Sequence, residues 1–554
     1  MTLIKDPVNH SLSWRNLSPE VRSPLLLAIV FFLVTLLLGL NRHLGFFSSY
    51  DQGIFNQVFW NNLHGHWFES SLSSVLSTNV VHEGQVPDVV YRRLGQHFTP
   101  ALLLWLPFYA LAPSATTLVV LQVSLITAGG VVLYALARHY LSAQLSLLLM
   151  AGYYGANAVI GPVFSNFHDL CQIPLFIFSL LLALEKRVWW LVWLMAVLTL
   201  LVRQDAGVGL FGVGVYLVVS RRFPRTGLAL CTLAFTYVVV VTSVIMPLFS
   251  EDISRRFMME RFGQYVTGDR ATPLQILWDM VSQPGRVIAS LFREPGVKVL
   301  YVLVQTLPLA FVPFLTPYAW AIAGFPLLQI FLQQGDTPVS IHIRYAITVV
   351  PGLFYGAILW WSTHQEWLKR GFKRFWIVCI AVSILIAIPY NPHQVFFFAI
   401  PSSIKPWVYV SLPRQWEHTH HIRSLAQQIP PTASISATTY LVPHLSKRRE
   451  ILRFPFLQFR NDQRQVANVD YVFLDLFQLE RYRLAFPLER VHFQFALPMI
   501  DTFLNQKTYG IVGLEDGVIL LQRNAVSSPE FLQRWAELRQ EYTRRLGEKA
   551  PAGG

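Results

Sequence analysis

A few short polar clusters interrupt a strongly apolar chain, and each offers a chemistry. Asp51, in SSYDQGIFNQVFW, is the single acidic residue directly after the first long apolar run. A carboxylate there can take a proton from a hydroxyl, ligate a cation, or complement the dipole of the helix it begins. YRRLGQHFTP then sets Arg92, Arg93 and His97 before another apolar stretch, where cations either hold a phosphate or anchor the chain at the interface. SNFHDL places His168 beside Asp169 at the end of an apolar run. With Asp51 and His97 they would give a mixed nitrogen and oxygen set for a divalent cation, or an acid/base pair. Their spacing matches no standard metal motif, and a capping Asp beside an interfacial His is the plainer alternative. In LLVRQDAG, Arg203 and Asp205 separate two short apolar runs, where burying either is costly unless they pair or function. SRRFMMERFGQY mixes Arg255, Arg256 and Arg261 with aromatics, and IHIRYAITVVP offers His342, Arg344 and Tyr345. Both suit a loop facing phosphate or sugar, and equally an interfacial one.

The elements that carry these clusters are membrane helices. Of 554 residues, 53% are hydrophobic and 14% charged, with a mean hydropathy of +0.42, which excludes an ordinary soluble globule. The formal charge of +13 lies in short loops between apolar runs, as the positive-inside rule expects, so it indicates topology and not nucleic acid. Cys171, Cys231 and Cys379 lie in or beside apolar segments and predict neither disulfide nor zinc site.

The first apolar run, 23 to 40, follows basic residues and reads as an uncleaved span. Apolar runs give about eleven spans in all, ending near 390. The run 98 to 112, interrupted by Pro107, is too short to count and reads as re-entrant. That parity places Arg138, Lys186, Arg187, Arg221, Arg222, Arg225 and the cluster from Lys369 to Arg374 on the side of the N-terminus. The expected arrangement is a cytoplasmic N-terminus (1–22), a membrane module (23–391) with outer loops 41–97 and 250–297, a linker (392–414) and an extracytoplasmic tail. Ile54, Phe55, Val58, Phe59 and Leu63 fall at helical spacing, so Asp51 is expected to begin an amphipathic helix lying on the membrane. No internal repeat is evident, which disfavours a transporter built from inverted halves.

The tail, 415–546, is expected to be a small soluble α/β domain followed by a disordered end, 547–554. A helix through HIRSLAQQI leads into a strand in ASISATT. Further strands are expected in EILRF and DYVFLDL, with a hairpin from YGIVGL to GVILLQR around Glu515, Asp516 and Gly517. Ser528 and Pro529 begin a last helix. No Gly-rich nucleotide loop, Walker lysine or Ser nucleophile elbow is present, which argues against an ATP-driven pump and against direct use of a nucleotide sugar.

YDQGIFNQ, LGQHFTP with its following LPFYAL, LQVSLITAGGVVLYALAR, FHDLCQIPLFIFSLLLAL and VRQDAGVGLFGVGVYL resemble, in order, pieces of a prokaryotic family of multi-span membrane proteins of unknown function. The resemblance runs through most of 45 to 455. That family in turn resembles the C-type (GT-C) glycosyltransferases, which take a sugar from a polyprenyl-phosphate carrier at the outer face. The resemblance implies an all-α polytopic GT-C-like fold in the inner membrane, a polyprenyl-phosphate sugar donor, an extracytoplasmic acceptor and no nucleic acid. It makes Asp51 the matching acidic residue of the first outer loop, acting as general base, and Asp169 the match of a second acidic group, with His168 orienting the sugar or both holding a divalent cation. Arg92 or Arg93, Arg203 and Arg344 would stabilise the departing phosphate, with His97, Asp205 and Tyr345 beside them. Asp51 departs from the pattern in standing alone, with Gln52 as its neighbour. The alternatives are a lipid or polysaccharide transporter, and a non-catalytic partner in envelope assembly.

Overall fold

The computed structural model describes residues 18–79, 85–388, 395–396, 410–484 and 486–547. Most of the expected N-terminal segment, most of the linker 392–414 and the end 548–554 lie outside the described residues. Up to Ala387 the described chain is helical; strands occur only in the tail.

Among the described residues, four helices are long and apolar enough to cross a membrane: Pro19–Leu44, Ala115–Arg138, Pro224–Leu248 and Arg344–Thr363. A fifth crossing is available if Ala143–Tyr154 and Asn157–Phe164, bent by 47°, act as one span. The other expected runs form shorter apolar helices, among them Trp189–Val202, Gly207–Val219 and Pro317–Leu332. Fourteen residues of helix rise about 21 Å, less than the roughly 30 Å of hydrocarbon. Pro100–Leu111, over the run expected to be re-entrant, is shorter still.

Ala115–Arg138 packs against both Pro19–Leu44 and Ile173–Glu185. Gly207–Val219 packs between Pro224–Val240 and Pro317–Leu332. A Cβ on Gly212 would lie 2.3 Å from the Ile322 carbonyl oxygen, so only glycine permits that approach. These two helices wall the cavity described below.

Seven strands make up the tail's sheets: β1 Ile435–Ala437, β2 Ile451–Arg453, β3 Gln458–Arg460, β4 Val466–Asn468, β5 Tyr471–Asp475, β6 Tyr509–Glu515 and β7 Val518–Arg523. The main sheet has the order β2-β1-β5-β7-β6, with β1 parallel to β2 and β5 and the rest antiparallel; β3 and β4 form a separate hairpin. Asp516 and Gly517, at φ 49° and 76°, join β6 to β7 as a two-residue turn with both central residues left-handed, the geometry that Asp-Gly favours.

One expectation about the segment after Pro19–Leu44 is corrected. Tyr50–Leu63 is a helix, but it is not an amphipathic helix resting on a membrane: Gln52, Gly53, Ile54, Phe55, Asn56, Gln57, Val58, Phe59, Asn61 and Asn62 are all buried. The apolar spacing was sound, and the polar face is enclosed as well because the tail covers it. The tail forms the small α/β region expected, and it shares its cores with the segment after Pro19–Leu44. Phe46, Tyr50, Ile54 and Leu72 share one core with Ile422, Leu425, Ile435, Val442, Ile451 and Leu520, and Val75 and Val89 join the second tail core.

Candidate functional site

Buried polar side chains fix the helix that begins with Asp51. Gln52 donates to the Ala115 carbonyl at 2.9 Å and accepts from the Phe167 amide at 2.6 Å, which ties it to the chain just before Asp169. Asn56 donates to Ser446 Oγ at 2.8 Å and accepts from Tyr109 Oη at 2.7 Å. Gln57 donates to Ser71 Oγ and to the Arg449 carbonyl, and accepts from Ser70 Oγ and the Leu72 amide. A buried carboxamide is retained only when its donors and acceptor are satisfied, and these are satisfied jointly by membrane module, loop and tail.

Asp51 opens into a cavity of about 660 Å³. The interruptions between helices bring the other polar groups to it. Asp169 begins a 3-10 turn before Ile173–Glu185, and Arg203 caps Trp189–Val202 in extended backbone. Asp205 comes just before Gly207–Val219, Arg93 starts a 3-10 turn, and Arg344 and Tyr345 open another at the head of Arg344–Thr363. Arg256 and Arg261 come from the segment after Pro224–Leu248. Five arginines and four carboxylates therefore line one end: Arg93, Arg203, Arg256, Arg261 and Arg344 with Asp51, Asp169, Asp205 and Glu260.

The pairing within this set is uneven. Arg203 grips Asp205 with Nε at 2.5 Å and Nη2 at 2.7 Å, and its Nη1 stands 3.7 Å from Asp169. Arg344 donates one bond, of 2.7 Å, to Asp51. Arg93 is 6% exposed and lies 4.6 Å over the Phe55 ring, and its Nε has no hydrogen-bond partner; Arg256 Nη1 has none either. Arg203, Arg261 and Arg344 all lie within 5.4 to 5.6 Å of the Tyr345 ring. Guanidinium groups so crowded, several with spare donors, make a cradle for an anion with more than one oxygen.

Burial pushes the Asp51 carboxyl up, and the Arg344 guanidinium more than offsets this, with Arg93 and Arg453 adding to it, so the group is held below the ordinary carboxylate range. Burial, then Arg93 and Arg203, push the His97 imidazole well down, which keeps it neutral. Its Nδ1 is 3.1 Å from Gln204 Nε2 and so acts as the acceptor. Arg453 of β2 lies 4.5 Å over the ring of Tyr50, so the tail places a cation beside the Asp51 helix.

The other end of the cavity is apolar. Phe211, Phe235, Val238, Phe325 and Leu328 line it, with Leu277 and Met280 of the segment after Pro224–Leu248. Phe235 and Leu328 are 48% and 41% exposed, so the apolar end of the cavity is not closed over.

Of the residues expected to act, Asp51, Arg93, His97, Asp169, Arg203, Asp205, Arg344 and Tyr345 line this one cavity. Two do not. Arg92 is exposed outside it, and His168 is fully buried behind it, with Nε2 3.4 Å from the Pro162 carbonyl. Adjacent residues in extended or 3-10 backbone point apart, so only Asp169 of that pair and Arg93 of the other face inward. A divalent cation does not fit Asp51 and Asp169 as they stand, because guanidinium groups already neutralise both. Among the described residues, the acidic and imidazole donors that do converge are His66, Glu69 and Asp462, and Arg449 Nη2 lies 2.5 Å from each of those carboxylates. Arg256 and Arg261, noted in sequence as arginines among aromatics suited to phosphate or sugar, also line the cavity. Arg453 was not noted there, since it sits in an ordinary strand and gave no signal.

Long apolar helices around a cavity with one charged and one apolar end define a membrane protein. The chain belongs to the family described as predicted membrane protein (DUF2079), whose profile matches residues 42–520. The match takes in Asp51 and most of the tail sheet, so both belong to one family unit. No curated protein matches the chain.

Proposed function

We propose that the protein is a membrane glycosyltransferase that moves a sugar from a polyprenyl-phosphate donor to an acceptor outside the inner membrane. The observation that carries this is the two-ended cavity: paired and spare arginines around Asp51 at one end, and at the other an apolar end that is not closed over. A lipid-linked phosphate has the same two ends.

In the proposed step the acceptor hydroxyl oxygen attacks the anomeric carbon and the bond from that carbon to the phosphate oxygen breaks. Polyprenyl phosphate leaves with the electron pair, and the acceptor proton passes to Asp51. Arg93 and Arg344, with Arg203 behind them, neutralise the charge that grows on the phosphate in a site shielded from water. Asp169 and Asp205 hold Arg203 in place. Asp51 is a weak base while Arg344 holds it; a donor phosphate competes for that guanidinium and frees the carboxylate when substrate is present. Arg453 and the tail close the site on the acceptor side.

The proposed topology has about eleven crossings, with the N-terminus inside and the tail outside. Contacts among the basic turns favour it. Arg222 bonds both oxygens of Glu185 and the hydroxyl of Tyr140, and Gln365 bonds the Tyr140 carbonyl, so the turns after four helices meet at one end. The Asp51 cavity involves none of these turns.

Incorporation of labelled sugar from a panel of polyprenyl-phosphate sugars into membrane material, by purified wild type and Asp51→Asn, tests the proposal. Transfer by the wild type should fall about 10²- to 10⁴-fold in the variant. Equal transfer by both would remove Asp51 as base. No transfer by either, with a control enzyme active on the same donors, would favour a lipid transporter using the same two-ended cavity, or a non-catalytic assembly role.

A further inference from the structure

The outer loop after Pro224–Leu248 carries a helical hairpin whose outward face has no partner among the described residues. Its root is firmly held: Gln264 Nε2 and Tyr265 Oη both donate to the Leu332 carbonyl, at 2.8 and 3.2 Å, and the Gln334 amide donates to the Arg261 carbonyl. Beyond this root, from 267 to 294, only Ala271 and Ile276 are buried. The segment nevertheless forms two helices, Pro273–Ser282 and Pro284–Leu291.

The first helix has two apolar faces. Ile276 and Met280 line the cavity at its apolar end, while Trp278 and Val281 point away and are 71% and 76% exposed. Phe292, after the second helix, is 72% exposed. Ten residues rise about 15 Å, too little to cross a bilayer, and such a helix lies along the interface. Pro224–Leu248, the long apolar helix that leads into this segment, is itself exposed at its end, with Val244 and Leu248 58% and 78% exposed. Arg286 and Arg293 are exposed on the same hairpin, a charge suited to lipid phosphates. A Trp with neighbouring cations is the composition of a headgroup-level anchor.

The chain enters and leaves the segment through irregular turns. Val241–Ile245 and Ile253–Phe257 are π turns, and Glu294 is left-handed at φ 51°. Such turns concentrate at functional sites and absorb changes in direction.

We propose that Pro273–Leu291 is a membrane-embedded lid over a lateral lipid entrance, through which the hydrocarbon chain of a lipid phosphate enters the cavity beneath Ile276 and Met280. The occupant of its outward face is the bilayer interface. The lid itself rests on the apolar surface and the membrane family; its cargo rests on the donor proposed above.

Two measurements on the full chain separate these points. Cys171, Cys231 and Cys379 are replaced by alanine, and a spin label is placed at Trp278→Cys or, as a water control, at Asp269→Cys, in nanodiscs of phosphatidylcholine and phosphatidylglycerol. The label at 278 should relax with oxygen and be shielded from a water-soluble nickel chelate, and the label at 269 the reverse. Equal nickel access at both positions would overturn the lid, as would shielding at 278 only in the presence of a soluble partner protein. In the same background, Ile276→Cys with Leu332→Cys joins the lid to the helix it packs on, through a reducible bifunctional maleimide. Linkage should cut photolabelling by a photoactivatable polyprenyl phosphate several-fold, and reduction should restore it. Unchanged labelling after linkage would overturn entry beneath the lid. Absence of labelling even before linkage, with the 278 label in lipid, would overturn the polyprenyl donor while supporting the embedded hairpin.

Discussion

Raising the pH should loosen the tail where it grips the first outer loop, because His418 loses a proton that two carboxylates hold. Its Nε2 lies 3.1 Å from Asp475 and its Nδ1 2.7 Å from Asp516, and both ring nitrogens donate only in the imidazolium form. Burial pushes the imidazole down, but Asp475 and Asp516 more than offset this and raise it to about 9. A group whose folded value is raised contributes fully below its unfolded value of about 6.5, and that contribution disappears as the pH passes about 9. The gap, at about 1.36 kcal/mol per pH unit, is worth roughly 3 kcal/mol. Arg414, which forks onto Asp516 at 2.6 and 2.7 Å, stays charged throughout and limits the loss. The assay is amide hydrogen exchange of Leu412–Ala426 and β7 between pH 6 and 10, corrected for intrinsic exchange. Protection should fall on the order of 100-fold in the wild type. His418→Gln should be weaker at neutral pH and nearly flat. Parallel profiles for the two proteins would refute the reasoning.

Three further outcomes are expected. Gly212→Val should force Gly207–Val219 away from Pro317–Leu332, lower the midpoint of thermal unfolding in detergent and widen the cavity, whereas Gly209→Ala, which has room for its Cβ at 3.6 Å from the nearest side chain, should be tolerated. Gln57→Leu strands partners in both loop and tail, at roughly 1–3 kcal/mol for each buried group left unsatisfied, and should expose the tail to limited proteolysis. Arg344→Gln frees Asp51 of its closest cation, so the acid limb of the transfer profile should move to higher pH while the donor KM rises; an unmoved limb would show that the pair does not set the basicity of Asp51.

Several elements of the fold could be read locally. Apolar runs mark the long helices, and the Asp-Gly turn fixes the β6–β7 hairpin through two neighbouring residues alone. The parallel placement of β1 between β2 and β5 could not be read that way, since strands of three residues leave little period to detect. Tyr50–Leu63 was legible as a helix but not as a buried one, because the partners of Asn56 and Gln57 lie almost 400 residues on. At the site, charge within apolar sequence pointed to Arg203, Asp205 and Arg344, since such residues survive there only when paired or used. The same logic could not choose between Arg92 and Arg93, or between His168 and Asp169, because orientation within a dipeptide depends on the backbone.

The bond from Asn56 to Ser446 spans 390 residues of chain. At ordinary synthesis rates of about 5–20 residues per second, the helix that begins with Asp51 is made roughly 20 to 80 s before its roof exists. During that interval Asn56 lacks Ser446 and Gln57 lacks the Arg449 carbonyl, and the Tyr50, Ile54 and Leu72 core is open. The cavity can be assembled from the membrane helices, but its acidic residue is set only when the last-made part of the sheet arrives. A chain that ends before Ser446 lacks both that hydroxyl and the Arg449 carbonyl, and so leaves the Asp51 helix without its tail partners.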